Sequence, residues 1–353
     1  MKLLHVVGAR PNFPKLAPVH RAGVQAGAGQ VVVHTGQHYD DAMSADFFRD
    51  LGIVPPDVNL AVGSESHAVQ TARIMERIEP VIRYHRPDWV VVYGDVNSTM
   101  AAAIVASKLG TRVAHVEAGL RSFDRTMPEE INRIVTDRLA DLLLTPSRDA
   151  DAQLLAEGEP ADEIAFVGNV MIDSLFFALP AARATNFRAT LGLSGPPVVV
   201  TLHRPSNVDD PVRIRALAAV LDEIGRDWPV VFPAHPRTRR RLEEAGLNMQ
   251  RVRVLEPVGY LEMLDLVEPA HVVITDSGGL QEETTALGVP CLTIRPNTER
   301  PITITEGTNR LVPEPEDIIA AFTGVQRHAV TRRPEGWDGH AGERVIVELA
   351  RHC

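Results

Sequence analysis

Short runs of apolar residues alternate with helical patterns along nearly the whole chain. The predicted strands form two series, at 3–7, 31–35, 89–93, 113–116, 142–145 and 164–167, and then at 198–202, 230–233, 252–255, 272–275 and 291–294. Apolar residues fill consecutive positions in these runs, which is typical of parallel strands that are buried on both faces. Between the runs, apolar residues recur with the helical period, as in 69–82 and 214–224. The pattern predicts an α/β fold of two doubly wound parallel-sheet domains.

A stretch rich in Gly, Pro and Ser at 191–197 separates the two series and is typical of a domain junction. The length of 353 residues suits two domains of ordinary size. In open α/β sheets, ligands bind beyond the carboxyl ends of the strands. We therefore expect two domains that face a central cleft, with polar residues at the strand ends as the candidate site, and a final helix at 342–351 that packs on either domain.

One strand end in the second half has the features of a phosphate site. The apolar run 271–275 is followed by a Ser-Gly-Gly turn and then by a helical sequence at 280–287. A glycine pair at the start of a helix exposes backbone N–H groups and the positive end of the helix dipole. Glu283 lies within the first two turns, and because a carboxylate repels phosphate, its better partner is a ribose diol. The alternative is an ordinary strand–turn–helix junction.

A basic loop follows the first predicted strand. Gly8 permits a tight turn, and Arg10 and Lys15 are donors near the start of a helix, where their targets are phosphate or carboxylate oxygens. A solvated basic loop is the alternative.

Carboxylates follow three other elements of the first half. Asp95 stands after the strand 89–93 and Glu117 directly after 113–116, while Pro128 begins a helix whose first turn carries Glu129 and Glu130. Each has a structural alternative: Asp95 supports a helix cap at Asn97 or Ser98, Glu117 pairs with Arg121, and the two glutamates interact with the helix dipole.

In the second half, His203 follows a strand and faces the presumed cleft, where an imidazole donates to a phosphate or transfers a proton. A buried histidine bonded to a backbone carbonyl is the alternative. Pro205 and Pro301 stiffen the loops that carry His203 and Arg300. One half thus supplies carboxylates and the other supplies phosphate and ribose contacts, which suits acid–base chemistry on a sugar linked to a nucleotide.

Composition excludes several classes of protein. The formal net charge of −10 argues against nucleic acid as a partner. No apolar run is long enough to span a bilayer and the sequence opens on a predicted strand rather than a signal peptide, so we expect no membrane partner. The two cysteines, Cys291 and Cys353, fit a reducing cytoplasm, and neither has a Cys or His nearby at metal-ligand spacing. Because His203, His235 and His271 are isolated in sequence, we expect no zinc site.

Taken in order, these motifs resemble the bacterial non-hydrolysing UDP-N-acetylglucosamine 2-epimerases, which interconvert UDP-GlcNAc and UDP-ManNAc. The resemblance covers nearly the whole chain and is carried by Gly8-Ala-Arg-Pro-Asn, Gly94-Asp-Val-Asn-Ser-Thr, His115-Val-Glu-Ala-Gly-Leu-Arg-Ser, Pro128-Glu-Glu-Ile-Asn-Arg, Leu202-His-Arg-Pro, Asp276-Ser-Gly-Gly-Leu-Gln-Glu-Glu and Thr298-Glu-Arg-Pro.

The resemblance implies the GT-B architecture of two Rossmann-like domains. The N-terminal domain, at 1–170, carries the catalytic carboxylates, the second, at 171–340, binds UDP, and a C-terminal helix at 341–353 returns to the first domain. It also implies a cytoplasmic homodimer that uses no metal, NAD or flavin. In the implied reaction a base removes the C2 proton while UDP leaves C1, and UDP then adds back to a 2-acetamidoglucal intermediate.

The resemblance assigns roles residue by residue. The implied catalytic residues are Asp95, Glu117, Glu129 and His203, with His203 on the departing phosphate and Glu130 as the fallback for Glu129. The implied UDP-binding residues are Arg10, Lys15, Ser277, Gly278, Gly279, Glu283 and Arg300, with Glu283 on the ribose. Which carboxylate acts as the base in which direction stays open.

Two positions depart from the family pattern. Ser206 replaces a glutamate after His203, which argues against activation by a second UDP-GlcNAc at Gln37, His38 and Arg204. The segment that binds uracil in the family corresponds to 256–263, here called the uracil segment. It keeps Tyr260 but has Val258 and Met263 where polar and aromatic residues are common, so the uracil contact is expected mostly from the backbone.

Three other functions compete with a non-hydrolysing epimerase. A retaining glycosyltransferase shares the Ser-Gly-Gly turn and Glu283 but does not need three carboxylates in the first domain. A hydrolysing epimerase releases free UDP, and a nucleotide-sugar sensor leaves the C2 hydrogen in place. The chemistry at the sugar 3- and 6-positions also stays open, which admits an acetamido-dideoxy or uronic acid relative of UDP-GlcNAc.

Overall fold

A computed structural model describes residues 1–36, 51–53, 55–247, 249–326 and 333–353. The backbone divides into two units, Met1–Phe177 with Glu335–Cys353, and Ala178–Pro334. The resemblance sets these divisions at 170/171 and 340/341, and the stretch 191–197, interpreted above as a junction, lies inside the second unit. Gln37 and His38 lie outside the described residues.

The first unit is built on a seven-stranded sheet in the order β3-β2-β1-β4-β5-β6-β7. All of its strand pairs are parallel. Its strands are β1 (Lys2–Val7), β2 (Gly29–His34), β3 (Val58–Asn59), β4 (Trp89–Tyr93), β5 (Arg112–Val116), β6 (Leu142–Thr145) and β7 (Ile164–Phe166). Its helices are α1 (Phe13–Gln25), α2 (His67–His85), α3 (Asn97–Lys108), α4 (Pro128–Leu139), α5 (Arg148–Glu157), most of α6 (Val170–Thr185), and α15 (Ala341–Arg351).

The C-terminal helix α15 packs on α1 in the first unit. Gly342 lies so close to Pro18 that an added Cβ would stand 2.7 Å from the Pro18 backbone. The Asp173 carboxylate accepts hydrogen bonds from the first backbone amides of α15, at 3.1 Å from Ala341 N and 2.7 Å from Gly342 N. These bonds satisfy two amides that a helix start otherwise leaves unpaired. The expectation that this helix returns to the first domain is confirmed.

The second unit holds a six-stranded parallel sheet in the order β10-β9-β8-β11-β12-β13. Its strands are β8 (Val198–Thr201), β9 (Val230–Pro233), β10 (Val252–Leu255), β11 (Val272–Thr275), β12 (Cys291–Thr293) and β13 (Asn309–Leu311). Its further helices are α7 (Phe187–Thr190), α8 (Pro205–Val208), α9 (Pro211–Ile224), α10 (Pro236–Glu244), α11 (Tyr260–Val267), α12 (Gly278–Leu287), α13 (Ile302–Thr305) and α14 (Ile318–Thr323).

Both faces of the second sheet are buried. Val198 and Val200 of β8 join one hydrophobic cluster, whereas Val199, between them, joins another. Successive strand residues point to opposite faces, so a continuous apolar run supplies two cores at once. The predicted fold class of two doubly wound parallel-sheet units is therefore confirmed.

Each sheet reverses its strand order at one place, between β1 and β4 in the first unit and between β8 and β11 in the second. Such a reversal opens a crevice beyond the carboxyl ends of the two strands, where open α/β sheets bind ligands. The candidate residues cluster at these two points.

Two short strands escaped the sequence pattern, β3 (Val58–Asn59) and β13 (Asn309–Leu311), because edge strands of two or three residues carry little apolar signal. The predicted cap of α3 at Asn97 or Ser98 is wrong, since the cap position is Val96 and both side chains bond elsewhere. Among the helices in the described part of the chain, none combines the length and apolar character needed to cross a membrane.

Candidate active site

The end of β1 approaches the start of α3 very closely. A Cβ added to Gly8 would lie 1.9 Å from the Ser98 hydroxyl oxygen, so only glycine fits here. Asn12 ties the following turn to β4, because its amide donates to the Tyr93 carbonyl at 2.8 Å and its oxygen accepts from Gly8 N at 3.1 Å. Arg10 begins the 3-10 turn Arg10–Asn12 at this edge, and its contact with UDP stays a prediction.

Glu117 follows β5 in a conformation that is rare for a residue with a side chain, with φ of 75°. Backbone strain of this kind costs about 1–3 kcal/mol and is concentrated at functional sites. The carboxylate is buried and lies 2.7 Å from the buried Lys15 ammonium. Lys15, predicted to bind UDP, therefore forms an ion pair with a predicted catalytic acid, and its role at UDP stays a prediction.

Gly94 makes room for this ion pair. It has φ of 61°, and an added Cβ would lie 2.5 Å from Lys15 Nζ. We expect Gly94→Ala to lower stability by about 1–3 kcal/mol and also to lower turnover, because it strains the backbone and displaces Lys15. Gly110 is the matched control, since its φ is 68° and nothing lies within 4 Å of an added Cβ.

Thermal melting and turnover of both variants test this expectation. Gly110→Ala should lower stability through backbone strain alone and leave turnover intact. Equal turnover in Gly94→Ala and Gly110→Ala would show that the contact with Lys15 is unimportant.

Asp95 follows β4, which pairs with β5 so that Tyr93 stands opposite Val116. Asp95 and Glu117 therefore leave adjacent strands at the same edge of the sheet. Arg133 of α4 donates to Asp95 Oδ2 at 2.6 Å and to Glu130 Oε2 at 2.7 Å. One guanidinium thus fixes the position of Asp95 relative to the first turn of α4.

The adjacent acids Glu129 and Glu130 have different environments. Glu130 is buried and accepts from Ser122 N at 2.9 Å, Phe123 N at 2.9 Å and the Ser122 hydroxyl at 3.0 Å, besides Arg133. Burial raises the pKa of Glu130, but these donors outweigh burial and hold the pKa below its usual value. Glu129 is half-buried and makes no hydrogen bond or ion pair within the described residues. This contrast supports Glu129 over the fallback, Glu130.

A buried network that the sequence did not reveal supports the Glu117 turn. Asp137 of α4 binds His115 Nδ1 at 2.6 Å and Arg121 Nη1 at 2.7 Å, and it accepts from Gly119 N at 3.2 Å. Burial raises the pKa of Asp137, but His115 and Arg121 outweigh burial and lower it. The alternative Glu117–Arg121 pair is replaced by ion pairs of Arg121 with Asp137 and Glu157.

In the second unit, Asp276 fixes the loop that follows β8. This buried carboxylate accepts from the backbone amides of His203 and Arg204, from Asn207 Nδ2 at 3.0 Å, and from His203 Nδ1 at 2.8 Å. Burial raises the pKa of Asp276, but these partners, His203 foremost, outweigh it and lower the pKa. Since Nδ1 faces Asp276 and half of the His203 side chain is exposed, Nε2 is the ring nitrogen left for a ligand.

The predicted strand–turn–helix at 271–287 is confirmed, with Ser277 as the cap residue and Gly278 and Gly279 as the first residues of α12. A Cβ on Gly278 would lie 2.7 Å from Arg300 Nη1. Arg300 itself is buried and pairs with Glu282 at 2.9 Å and Glu299 at 2.5 Å. Arg300 thus lies against the start of the helix, and its contact with UDP stays a prediction.

Glu283 of α12 is buried and accepts a hydrogen bond from the Tyr260 hydroxyl at 2.9 Å. Burial raises the pKa of Glu283 to about 7. A buried carboxylate with a raised pKa is typical of a functional site.

Two parallel-sheet units that carry charged side chains at their strand-order reversals are typical of α/β enzymes, which bind their ligands beyond the strand ends. Comparison with known proteins agrees with this class. The chain belongs to the UDP-N-acetylglucosamine 2-epimerase family, whose model matches residues 24–350. The resemblance stated from the motifs is confirmed.

Three relatives illustrate the range of the family. The UDP-2,3-diacetamido-2,3-dideoxy-D-glucuronate 2-epimerase of Pseudomonas aeruginosa is 46% identical over 99% of this chain and 100% of its own length. The crystal structure of the Methanocaldococcus jannaschii UDP-GlcNAc 2-epimerase in complex with UDP-GlcNAc and UDP has a TM-score of 0.90, with 41% identity over 99% of this chain and 100% of that one. The Neisseria meningitidis enzyme bound to UDP-GlcNAc also has a TM-score of 0.90, at 28% identity and the same coverage.

Proposed function

We propose that the protein inverts C2 of a UDP-linked 2-acetamido sugar, converting UDP-GlcNAc to UDP-ManNAc and back, by eliminating and re-adding UDP. The observation that carries the proposal is the grouping of acids at one edge of the first sheet. Glu117 is held there in a strained conformation, Asp95 leaves the adjacent strand, and Arg133 ties Asp95 to the turn that bears Glu129. Inversion of a carbon needs proton exchange on both of its faces, and hence at least two separate acid–base groups.

In the forward direction, one carboxylate removes the C2 proton while the C1–O bond to UDP breaks. The product is UDP with a 2-acetamidoglucal, whose new double bond joins C1 and C2. In the second half of the reaction a UDP oxygen attacks C1, and a second acid delivers a proton to the opposite face of C2. Asp95, Glu117 and Glu129 are the proposed acids and bases, and the order in which they act follows from the direction of reaction.

The proposed UDP site lies at the reversal point of the second sheet. The amides at the start of α12 bind the diphosphate, and His203 Nε2, oriented by Asp276, donates to the phosphate as negative charge develops on it. Glu283 binds the ribose diol. Arg10, Lys15 and Arg300 complete the proposed set of UDP contacts, and the resemblance adds a cytoplasmic homodimer that requires no metal or redox cofactor.

One relative supports a second substrate. The Pseudomonas aeruginosa protein at 46% identity is named for a diacetamido glucuronate, whereas the Methanocaldococcus jannaschii and Neisseria meningitidis proteins are bound to UDP-GlcNAc in their structures. UDP-2,3-diacetamido-2,3-dideoxy-D-glucuronate is therefore the second candidate. Both substrates carry the UDP group and the 2-acetamido carbon that the proposed chemistry needs.

Incubation with each UDP-sugar in deuterated water tests the proposal. The expected result is deuterium at C2, an epimer with inverted C2, and little free UDP. Stoichiometric free UDP would indicate a hydrolysing epimerase. No exchange at C2 without an acceptor, with sugar transfer once an acceptor is added, would favour a glycosyltransferase. Binding without exchange for either sugar would indicate a sensor. The ratio of kcat/KM between the two sugars assigns the substrate.

A further inference from the structure

Tyr260 joins two elements that the chain separates. It is the first residue of α11, and its hydroxyl donates at 2.9 Å to Glu283 Oε1 on α12, 23 residues later. The Glu283 side chain makes no other hydrogen bond within the described residues. The hydroxyl therefore fixes one carboxylate oxygen and leaves the other for a ligand.

A carboxylate binds a vicinal diol through two hydrogen bonds that it accepts, so it must be ionised and held in one orientation. Glu283 is buried, which opposes ionisation, and Glu282 beside it on α12 opposes ionisation further through its charge. The Tyr260 bond is the opposing influence that favours the ionised form. Removal of the hydroxyl would leave a buried carboxylate without its donor.

We propose that Tyr260 is a positioning residue whose hydroxyl orients the Glu283 carboxylate toward the ribose, so that the pair selects UDP over 2′-deoxy-UDP. The inference rests on the proposed function, in which Glu283 binds the ribose diol. It gives the uracil segment a role in recognition of the ribose of UDP, besides the uracil contact that is expected from the backbone of this segment.

The pH dependence of UDP binding follows with a definite sign. Glu283 has a raised pKa of about 7, so ribose recognition by the ionised carboxylate is present above pH 7 and is lost as the pH falls through 7. Without the Tyr260 hydroxyl the pKa of Glu283 is higher still. The loss of affinity in Tyr260→Phe therefore begins at a higher pH than in the unchanged protein.

Calorimetric titration with UDP and with 2′-deoxy-UDP between pH 6 and pH 8.5 tests the inference. We expect UDP affinity to fall roughly tenfold in Tyr260→Phe at pH 7.5, because the Glu283 carboxylate loses the donor that orients it. Affinity for 2′-deoxy-UDP should change much less, so that discrimination between the two nucleotides shrinks. Tyr84→Phe is the matched control, because Tyr84 is 83% exposed.

Glu283→Gln separates this inference from the function on which it rests. If Glu283→Gln keeps its UDP affinity, the ribose contact itself is wrong. If Glu283→Gln loses affinity but Tyr260→Phe keeps both its affinity and its discrimination, only the role of Tyr260 is wrong. Thermal melting accompanies each titration, and the titrations are run at a temperature at which each variant is folded; the 2′-deoxy-UDP affinity of Tyr260→Phe, which should change little, shows that its site is intact.

Discussion

Glu129→Gln lowers turnover by about 100-fold or more, the usual scale for loss of an acid–base group. It leaves the melting temperature unchanged, since the Glu129 side chain makes no hydrogen bond or ion pair within the described residues. Asp95→Asn and Glu117→Gln lower turnover to a similar extent. In each case the affinity for UDP changes much less, because the amide keeps the shape of the carboxylate and most of the proposed UDP contacts belong to the second unit. Steady-state kinetics and UDP titration measure the two effects separately.

Glu130→Gln is the matched control, because it makes the same chemical change one residue further along α4. We expect Glu130→Gln to change stability more than turnover. Its free energy of unfolding should fall, since Gln removes the charge that accepts from Ser122, Phe123 and Arg133. Turnover should fall less than in Glu129→Gln. Normal turnover in Glu129→Gln with a 100-fold loss in Glu130→Gln would transfer the catalytic role to the fallback residue.

Asp137→Ala lowers the free energy of unfolding of the first unit by about 3–5 kcal/mol, the usual consequence of removing one partner from a buried ion pair. Asp137 is 1% exposed and binds both His115 and Arg121. Its removal leaves His115, two residues before Glu117, buried without this partner. Denaturant unfolding, followed by a probe in the first unit, measures the change.

Asp162→Ala is the control for this prediction, because Asp162 is exposed and substitutions at such positions stay within about 0.5 kcal/mol. Equal stability of the two variants would show that Asp137 contributes nothing beyond surface charge.

The fold was predictable because a parallel sheet leaves a simple signal, a continuous apolar run that ends at a polar residue. Three of the five predicted strands from 198 onward, 230–233, 252–255 and 272–275, match the observed bounds for this reason, and the other two extend one residue too far at their carboxyl ends. The same rule placed Asp95, Glu117 and His203 at strand ends. The very short strands that begin at Val58 and Asn309 form by pairing with a neighbouring strand, so their own sequence does not indicate them.

The partners of the site residues were not predictable, because they come from distant parts of the chain. Lys15 and Glu117 meet only because β1 and β5 lie in one sheet, and Arg133 reaches Asp95 only because α4 packs beside α3. Glu129 and Glu130 are equivalent in sequence, and the donors on Ser122 and Phe123 distinguish them. Position along the chain indicates candidates, whereas topology assigns their partners.

The most direct test of the elimination chemistry uses UDP-GlcNAc labelled with ¹⁸O in the oxygen that bridges C1 and the β-phosphate. If the C1–O bond breaks while the C2 proton is exchanged, the phosphate of bound UDP rotates, and NMR shows the label moving to non-bridging positions in the recovered sugar nucleotide. Formation of the C2 epimer with the label still wholly in the bridge would contradict this account.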